Sequence, residues 1–235
     1  RVLTKKKYSD YAVLYRTHAQ SNSIETALRS NGIPYRVYGG LSFYKRKEVQ
    51  DVLAYFGLIN NHSDEIRLQR VINEPKRGIG ASTLDNVRLI AVQKGISSFD
   101  VIREAGNYPE LSRSAAKLVA FAEMIEKYTR ISHDTPISEW FYDLYDEIGY
   151  DRMLRDEYDK NEYESKRQNV MELMSSVKQY EADAEDPSLS EYLSQVSLVS
   201  ATDSLDDEDN AVVLMTVHCA KGLEFDTVFI SGFEQ

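Results

Sequence analysis

The pattern of apolar residues differs between the two ends of this chain and its middle. Near the ends, short runs rich in β-branched and aromatic residues predict strands. These strand candidates are residues 11–15, 35–38, 212–215 and 227–230. In the middle, apolar residues recur every three or four positions, as at Val49, Val52 and Phe56, and this spacing predicts an amphipathic helix over residues 45–60.

Helix candidates follow one another through the middle of the chain. The first, residues 23–30, lies between two strand candidates, and Asn31-Gly32 after it is a typical C-terminal stop. The others are residues 65–72, 82–94, 98–104, 112–131, 137–148, 150–158, 163–182 and 189–196. The polar, acidic run over residues 200–210 predicts a loose linker before the strand signals return.

Strands therefore open and close the chain, with a long helical region between them. If the terminal strands share one parallel sheet, residues 39–210 are an insertion whose two ends lie close together. The alternative is two unrelated pieces, and composition alone does not separate the two arrangements. We predict the first, with Val13 and Val213 in one sheet.

Composition fits a soluble globular protein, and charge adds a constraint. The 235 residues are 42% hydrophobic and 28% charged. No apolar run approaches the roughly 20 residues of a membrane span, and one cysteine excludes an internal disulfide and fits a reducing cytosol. A net charge of −10 argues against a simple nucleic-acid binder, although the basic clusters at residues 5–7, 45–47 and 76–77 allow a local phosphate-binding patch. The competing interpretation of each cluster is a solvated face.

The most informative segment lies between the last two strand candidates. Residues 216–225 read T-V-H-C-A-K-G-L-E-F. Backbone amides and a lysine attract phosphate, and a carboxylate accepts a hydrogen bond from a sugar hydroxyl. The segment therefore suits a loop that faces a phosphate chain and a nucleotide together.

A second polar motif lies between two helix candidates, where residues 73–83 read N-E-P-K-R-G-I-G-A-S-T. Two glycines permit a tight turn, the isoleucine between them can pack into the core, and Ser82 or Thr83 can cap the next helix. With the charges of Lys76 and Arg77, the turn suits a phosphate of duplex DNA, held without reading of bases. The alternative is an ordinary turn between helices.

This second motif carries two expectations about substitutions. If Lys76 and Arg77 are surface charges, replacing both by Ala weakens duplex binding without unfolding the protein. Replacing Gly80 by Val damages the turn, because a positive φ is expected there.

Four blocks resemble, in the same order, motifs of the UvrD/Rep-type superfamily 1 ATP-dependent DNA helicases. Residues 216–225 resemble T-x-H-x-x-K-G-L-E-F, and residues 73–83 resemble N-x-P-x-R-G-I-G-x-x-T. Residues 14–21 resemble L-Y-R-x-N-A-Q-S, with His18 in place of Asn. Residues 34–51 resemble P-Y-x-x-x-G-G-x-x-F-x-x-R-x-E-x-x-D.

The resemblance implies a fold and a domain plan. The expected fold is an α/β RecA-like, P-loop-type partial domain with a large, mostly α-helical inserted domain. Residues 1–38 and 211–235 then form parts of the second RecA-like domain. Residues 39–210 form the inserted domain, with a helix-hairpin-helix-like element at R-G-I-G.

The resemblance also implies three sets of site residues. Those expected to contact single-stranded DNA are Arg16, Thr17, His18, Thr216 and His218. Those expected to bind ATP are Lys221, Gly222 and Glu224. Those expected to contact duplex DNA are Lys76, Arg77, Gly78, Ile79, Gly80 and Thr83.

Parts of a complete phosphoryl-transfer site are missing from the sequence. It contains no G-x-x-x-x-G-K-[ST] loop, no D-E-x-Q-D-like segment and no Q-N-Y-R-S segment. No His or Cys spacing fits a metal site. Both ends look like cuts in a longer protein, so we expect ATP and Mg²⁺ to act in that parent and neither in the isolated chain.

The expected partners follow from the same resemblance. They are single-stranded and duplex DNA, the remaining domains of the parent chain, and repair or replication proteins in a bacterial cytosol, with no membrane. The parent is expected to translocate 3′ to 5′. The alternative is a non-enzymatic helical module that binds DNA or protein, with the strand blocks serving only as a scaffold.

Overall fold

The computed structural model describes residues 7–16, 20–38, 43–202, 210–217, 219–220 and 222–232. This part of the chain is mostly helical and contains one small parallel sheet. Two compact units divide the chain. The first comprises Arg1–Val49, Asp159–Leu173 and Ser194–Gln235, and the second comprises Gln50–Tyr158 and Met174–Leu193.

The first unit is built on a sheet of four parallel strands in the order β2-β3-β1-β4. The strands are β1 (Tyr11–Tyr15), β2 (Tyr35–Val37), β3 (Val212–Thr216) and β4 (Thr227–Ile230). Ala12 lies opposite Val213, and Tyr15 lies opposite Thr216. The prediction that both ends of the chain share one sheet is therefore confirmed. β3 is buried along its whole length, as expected for a central parallel strand.

Side chains alternate between the two faces of the sheet. Helix α1 (Ser21–Ser30) covers one face, where Ile24 and Leu28 pack against Tyr15 and Leu214. On the other face, Ala12, Val213 and Met215 pack against apolar groups of the segment that follows β3. The connection after β1 thus crosses one face and the connection after β3 crosses the other.

The stop signal after α1 is confirmed. The helix ends at Ser30, and Gly32 takes a φ of +64°, which favours glycine. The amide of Ile33 donates to the carbonyl of Leu28 at 2.9 Å, which satisfies a carbonyl left free at the helix end.

The helices of the second unit bury a core that is rich in aromatic side chains. Helices that lie wholly in it are α3 (Glu65–Val71), α4 (Ala81–Lys94), α5 (Ser98–Arg103), α6 (Ala115–Asp134), α7 (Ile137–Glu147) and α8 (Tyr150–Glu157). Helices with residues in both units are α2 (Lys47–Asn60), α9 (Lys160–Asp183) and α10 (Leu189–Thr202). Phe56 lies edge-on to Trp140 and Phe141, with ring centroids 5.3 and 5.6 Å apart.

Several predicted helix boundaries differ from the structure, including those of α1 and α10. α1 begins at Ser21, two residues before the predicted start, because its first turn buries polar side chains that an apolar pattern does not reveal. α10 continues to Thr202, so the start of the predicted linker is helical, and residues 203–209 lie outside the described residues. No helix within the described ranges is long and apolar enough to cross a membrane.

Candidate functional site

The carboxyl ends of the strands bring together segments that are distant in sequence. The amide of Val217, just after β3, donates to the carbonyl of Tyr15 at 3.0 Å. The amide of Ser231, just after β4, donates to the carbonyl of Leu14 at 2.8 Å. The connections after β1 and β3 lead to opposite sides of the sheet, and such a switch point is where open parallel sheets bind ligands.

Arg16 follows β1 at this edge and is exposed to solvent. Its amide donates to Oε1 of Gln20 at 3.0 Å, so the Gln20 side chain contacts the residue that follows the strand. Gly232 approaches the same glutamine closely, because a Cβ at this glycine would clash with Nε2 of Gln20. Thr17 and His18, two of the predicted single-stranded DNA contacts, lie outside the described residues.

Thr216 ends β3 beside Tyr15, and its side chain is buried. The amide of Cys219 donates to Oγ1 of Thr216 at 3.3 Å, so the hydroxyl holds the first turn of the following segment. His218 lies outside the described residues. The structure brings Arg16 and Thr216 to one edge of the sheet, as their predicted common role requires, although that role stays a prediction.

The predicted ATP-binding segment continues from there. Gly222 takes a φ of +89°, a backbone conformation that residues other than glycine rarely adopt. Glu224 is exposed, so its carboxylate is accessible to a ligand. Lys221 lies outside the described residues. Within the described part of the chain, no group of three or more His, Cys, Asp or Glu residues could hold a metal ion.

A second candidate site is the turn between α3 and α4, organised by the side chain of Asn73. Oδ1 of Asn73 accepts from the amide of Arg77 at 2.8 Å, and Nδ2 donates to the carbonyl of Ile79 at 3.0 Å. Ile79 is buried, in agreement with the prediction that it packs into the core. Gly78 takes a φ of +67°, which turns the chain between these hydrogen bonds.

Arg77 is directed back into the protein. Its Nη1 donates to the carbonyls of Val71, Ile72 and Pro75 at 2.9, 3.3 and 3.1 Å. Its Nη2 donates to the hydroxyl of Tyr55 at 2.7 Å, where burial raises the pKa of the tyrosine to about 12 despite the nearby guanidinium. The expectation that Arg77 is a surface charge is therefore wrong, because its guanidinium ties the turn to α2 and to the end of α3.

The glycine expectation is also corrected. Gly80 takes an ordinary φ of −73° as the N-cap of α4, and a Cβ there would meet no atom within 4 Å. The positive φ belongs to Gly78. Because α4 begins at Ala81, neither Ser82 nor Thr83 is the capping residue. The Thr83 hydroxyl instead lies near another side chain, with Oγ1 of Thr83 3.3 Å from Oγ of Ser114.

Two lysines supply exposed positive charge at this turn. The Lys76 side chain is 83% exposed, and its Nζ lies 3.2 Å from Oε1 of Glu157. Nζ of Lys117, on α6, donates to the carbonyl of Gly78 at 3.3 Å. Sequence reasoning missed Lys117 because it is far from the motif along the chain, and missed Gln20 and Asn73 because a motif does not reveal which polar side chains hold its backbone.

These features define a class of protein: an α/β chain with a candidate ligand edge on a parallel sheet, extended by a helical unit that carries a glycine turn. The family model of the UvrD-like helicase C-terminal domain matches residues 1–235, and the chain belongs to this family.

The chain is also similar to curated bacterial proteins. It is 38% identical over 237 residues to ATP-dependent DNA helicase PcrA of Bacillus subtilis (strain 168). It is 41% identical over 232 residues to the proteins of that name in Staphylococcus epidermidis (strain ATCC 12228) and Staphylococcus aureus (strain NCTC 8325). Each alignment covers 98% of this chain and 32% of the relative, so the chain spans about a third of the length of these relatives.

Proposed function

We propose that this chain is part of an ATP-dependent DNA helicase that translocates 3′ to 5′ on single-stranded DNA and unwinds duplexes in repair or replication. Residues 1–38 and 211–235 belong to its second RecA-like domain, and residues 39–210 form the inserted helical domain. The observation that carries the proposal is the pairing of β1 with β3. The last residues of these strands, Tyr15 and Thr216, lie opposite each other, although they come from opposite ends of the chain.

Single-stranded DNA binds along the carboxyl edge of the sheet in this proposal. Arg16 offers an exposed guanidinium for a phosphate, and Thr17, His18 and His218 belong to the same two loops. Thr216 supports the second loop through the hydrogen bond that its hydroxyl accepts. Family membership and the position of both loops at a switch point support this assignment.

ATP binds near the segment after β3, with Lys221 and the backbone at Gly222 toward phosphate and Glu224 toward the sugar. The exposed carboxylate of Glu224 and the free space around the Cα of Gly222 fit such contacts. A domain outside this chain supplies the phosphate loop and the ligands of Mg²⁺. The isolated chain is therefore inactive as an ATPase.

Duplex DNA binds at the turn between α3 and α4 without reading of bases. Lys76, the backbone of Gly78 and Gly80, and the first amides of α4 face phosphate, with Thr83 in that first turn. Arg77 and Ile79 act from inside by holding the turn. The overall charge of −10 makes this binding weak and dependent on low salt.

The experiment that tests the proposal uses the full-length protein that contains this chain. Arg16→Ala should weaken single-stranded DNA binding about three- to tenfold, because one charge-assisted phosphate contact is lost. Arg36→Ala removes another exposed arginine, from β2 and away from the carboxyl edge, and is the matched control. If the two variants bind single-stranded DNA equally well, the edge is not the binding track.

A second measurement separates the proposal from its alternative, a non-enzymatic helical module. The full-length protein should release phosphate from ATP when single-stranded DNA is added, and the isolated chain should not. Turnover by the isolated chain on the order of 1 per second would contradict the proposal. A full-length protein without DNA-stimulated turnover would favour the binding module.

A further inference from the structure

We infer that Arg46 is a positioning residue for Arg16. It holds Ser21, the first residue of α1, and Ser21 directly follows Gln20, whose side chain accepts from the Arg16 amide. The inference rests on the proposed contact of Arg16 with single-stranded DNA. Arg46 itself is buried, so it acts through Ser21 and not on the nucleic acid.

The Arg46 guanidinium joins two helices of the first unit. Its Nη2 donates to Oγ of Ser21, the first residue of α1, at 2.7 Å. Its Nη1 donates to Oδ1 of Asn169, on α9, at 2.9 Å. Only 7% of Arg46 is exposed, and neither Ser21 nor Asn169 exceeds 4%. Buried hydrogen bonds of this kind fix the positions of the side chains they join, because breaking one leaves a buried polar group with neither a protein partner nor water.

Arg46 and Arg16 are linked through two neighbouring residues. The amide of Arg16 donates to the side chain of Gln20, and Arg46 donates to the hydroxyl of Ser21. Gln20 directly precedes Ser21 along the chain. A shift of Ser21 therefore moves the group that holds Arg16.

The first turns of α1 bury polar side chains where a surface helix normally buries apolar ones. Asn22 and Glu25 are at most 5% exposed. The Glu25 carboxylate accepts from the amide of Phe43 and lies in the electrostatic field of Arg46. Asn22 hydrogen-bonds Glu172 of α9. Burial raises the pKa of this glutamate, and Asn22 and Arg46 offset only part of the rise. This helix start is thus located by directional hydrogen bonds and charge, which define its position more narrowly than apolar packing would.

Asn169 is itself held from the side opposite Arg46. Its Nδ2 donates to Oε1 of Glu48, and Oε2 of Glu48 lies 3.3 Å from Nζ of Lys166. An arginine is suited to the central place because its planar fork reaches two acceptors on different helices, whereas a lysine presents one compact charge. Arg46→Lys therefore keeps the charge and loses one of the two grips.

The test uses the full-length protein and two variants, Arg46→Lys and Ser21→Ala. Each should weaken single-stranded DNA binding about three- to tenfold, raise the DNA concentration for half-maximal ATPase by a similar factor, and leave kcat at saturating DNA unchanged. Ser21→Ala removes only one hydroxyl and serves if Arg46→Lys does not fold. Ser30→Ala, which removes an exposed hydroxyl from the last residue of α1, is the matched control.

A double-mutant cycle with Arg16→Ala distinguishes positioning from general damage. If Arg46 acts through Ser21 and Gln20, Arg16→Ala should cost much less affinity in the Arg46→Lys or Ser21→Ala background than in the wild type. Additive effects on affinity would overturn the inference. Wild-type affinity in both Arg46→Lys and Ser21→Ala, with weak binding by Arg16→Ala, would also overturn it. That second outcome would leave the proposed function intact. If Arg16→Ala alone has no effect, the proposed function fails and the inference falls with it.

Discussion

The two candidate DNA-facing elements of this chain differ in which positively charged side chains are exposed and which hold the backbone. At the carboxyl edge of the sheet, Arg16 of the block at residues 14–21 is exposed, and Arg46 of the block at residues 34–51 is buried and holds Ser21. At the turn between α3 and α4, the motif arginine Arg77 is the holding residue, and Lys76 and Lys117 carry the exposed charge.

The difference shows that an arginine within a basic motif can be a contact or a support. A guanidinium has five N–H donors, and the number of protein acceptors around it decides between the two roles. Arg77 meets three carbonyls and a hydroxyl, so little of it is left for a ligand. Arg16 presents its side chain to solvent, which suits a phosphate contact.

The largest effect that follows is on stability. Arg77→Ala should destabilise the second unit by about 2–4 kcal/mol, because it leaves buried carbonyls and the Tyr55 hydroxyl without their charged donor. Lys76→Ala should cost less than about 0.5 kcal/mol, since its ion pair with Glu157 is exposed. Urea unfolding of both variants, with hydrogen exchange at the amides of residues 71–80, measures the difference.

The opposite outcome would remove the contrast between the two elements. If Arg77→Ala unfolds at the same urea concentration as the wild type but loses duplex affinity, Arg77 is a contact like Arg16. Its hydrogen bonds to the turn would then be incidental.

Sequence reasoning located both elements but could not assign their parts. The strands at residues 11–15 and 212–215 were predictable because short continuous apolar runs are a local signal, and their pairing followed from the order of the elements. The direction of Arg77 depends on acceptors from α2 and from the end of α3, and the hold on Ser21 depends on Arg46, which also donates to Asn169 of α9. Such tertiary contacts leave no trace in spacing or periodicity.

The second effect concerns the two glycines of the turn. Gly78→Ala should destabilise the protein by about 1–2 kcal/mol, because the alanine backbone would have to adopt the left-handed conformation at a φ of +67°. The new Cβ would also approach Nζ of Lys117 to 2.9 Å, but that flexible side chain can move away.

Gly80→Ala is the matched control for this prediction, since its φ of −73° is ordinary and its Cβ would meet open space. Its effect should stay within about 0.5 kcal/mol. Equal losses in thermal unfolding of the two variants would mean that the turn does not depend on a left-handed residue at Gly78. The rigid support attributed to Asn73 and Arg77 would then need another explanation.

The smallest effect is on duplex affinity and sharpens the assignment of exposed charge. Lys76→Ala and Lys117→Ala should each weaken duplex binding only a few-fold, and each should reduce the slope of log K against log salt by about 0.9, because one phosphate contact releases one counterion. Lys94→Ala, at the far end of α4, should leave the slope unchanged. Fluorescence anisotropy of the full-length protein with labelled hairpins of two sequences measures the slope and checks that it does not depend on sequence. If Lys94→Ala changes the slope as much as Lys76→Ala does, phosphate binding is spread over the helical unit, and the turn has no special claim to the duplex.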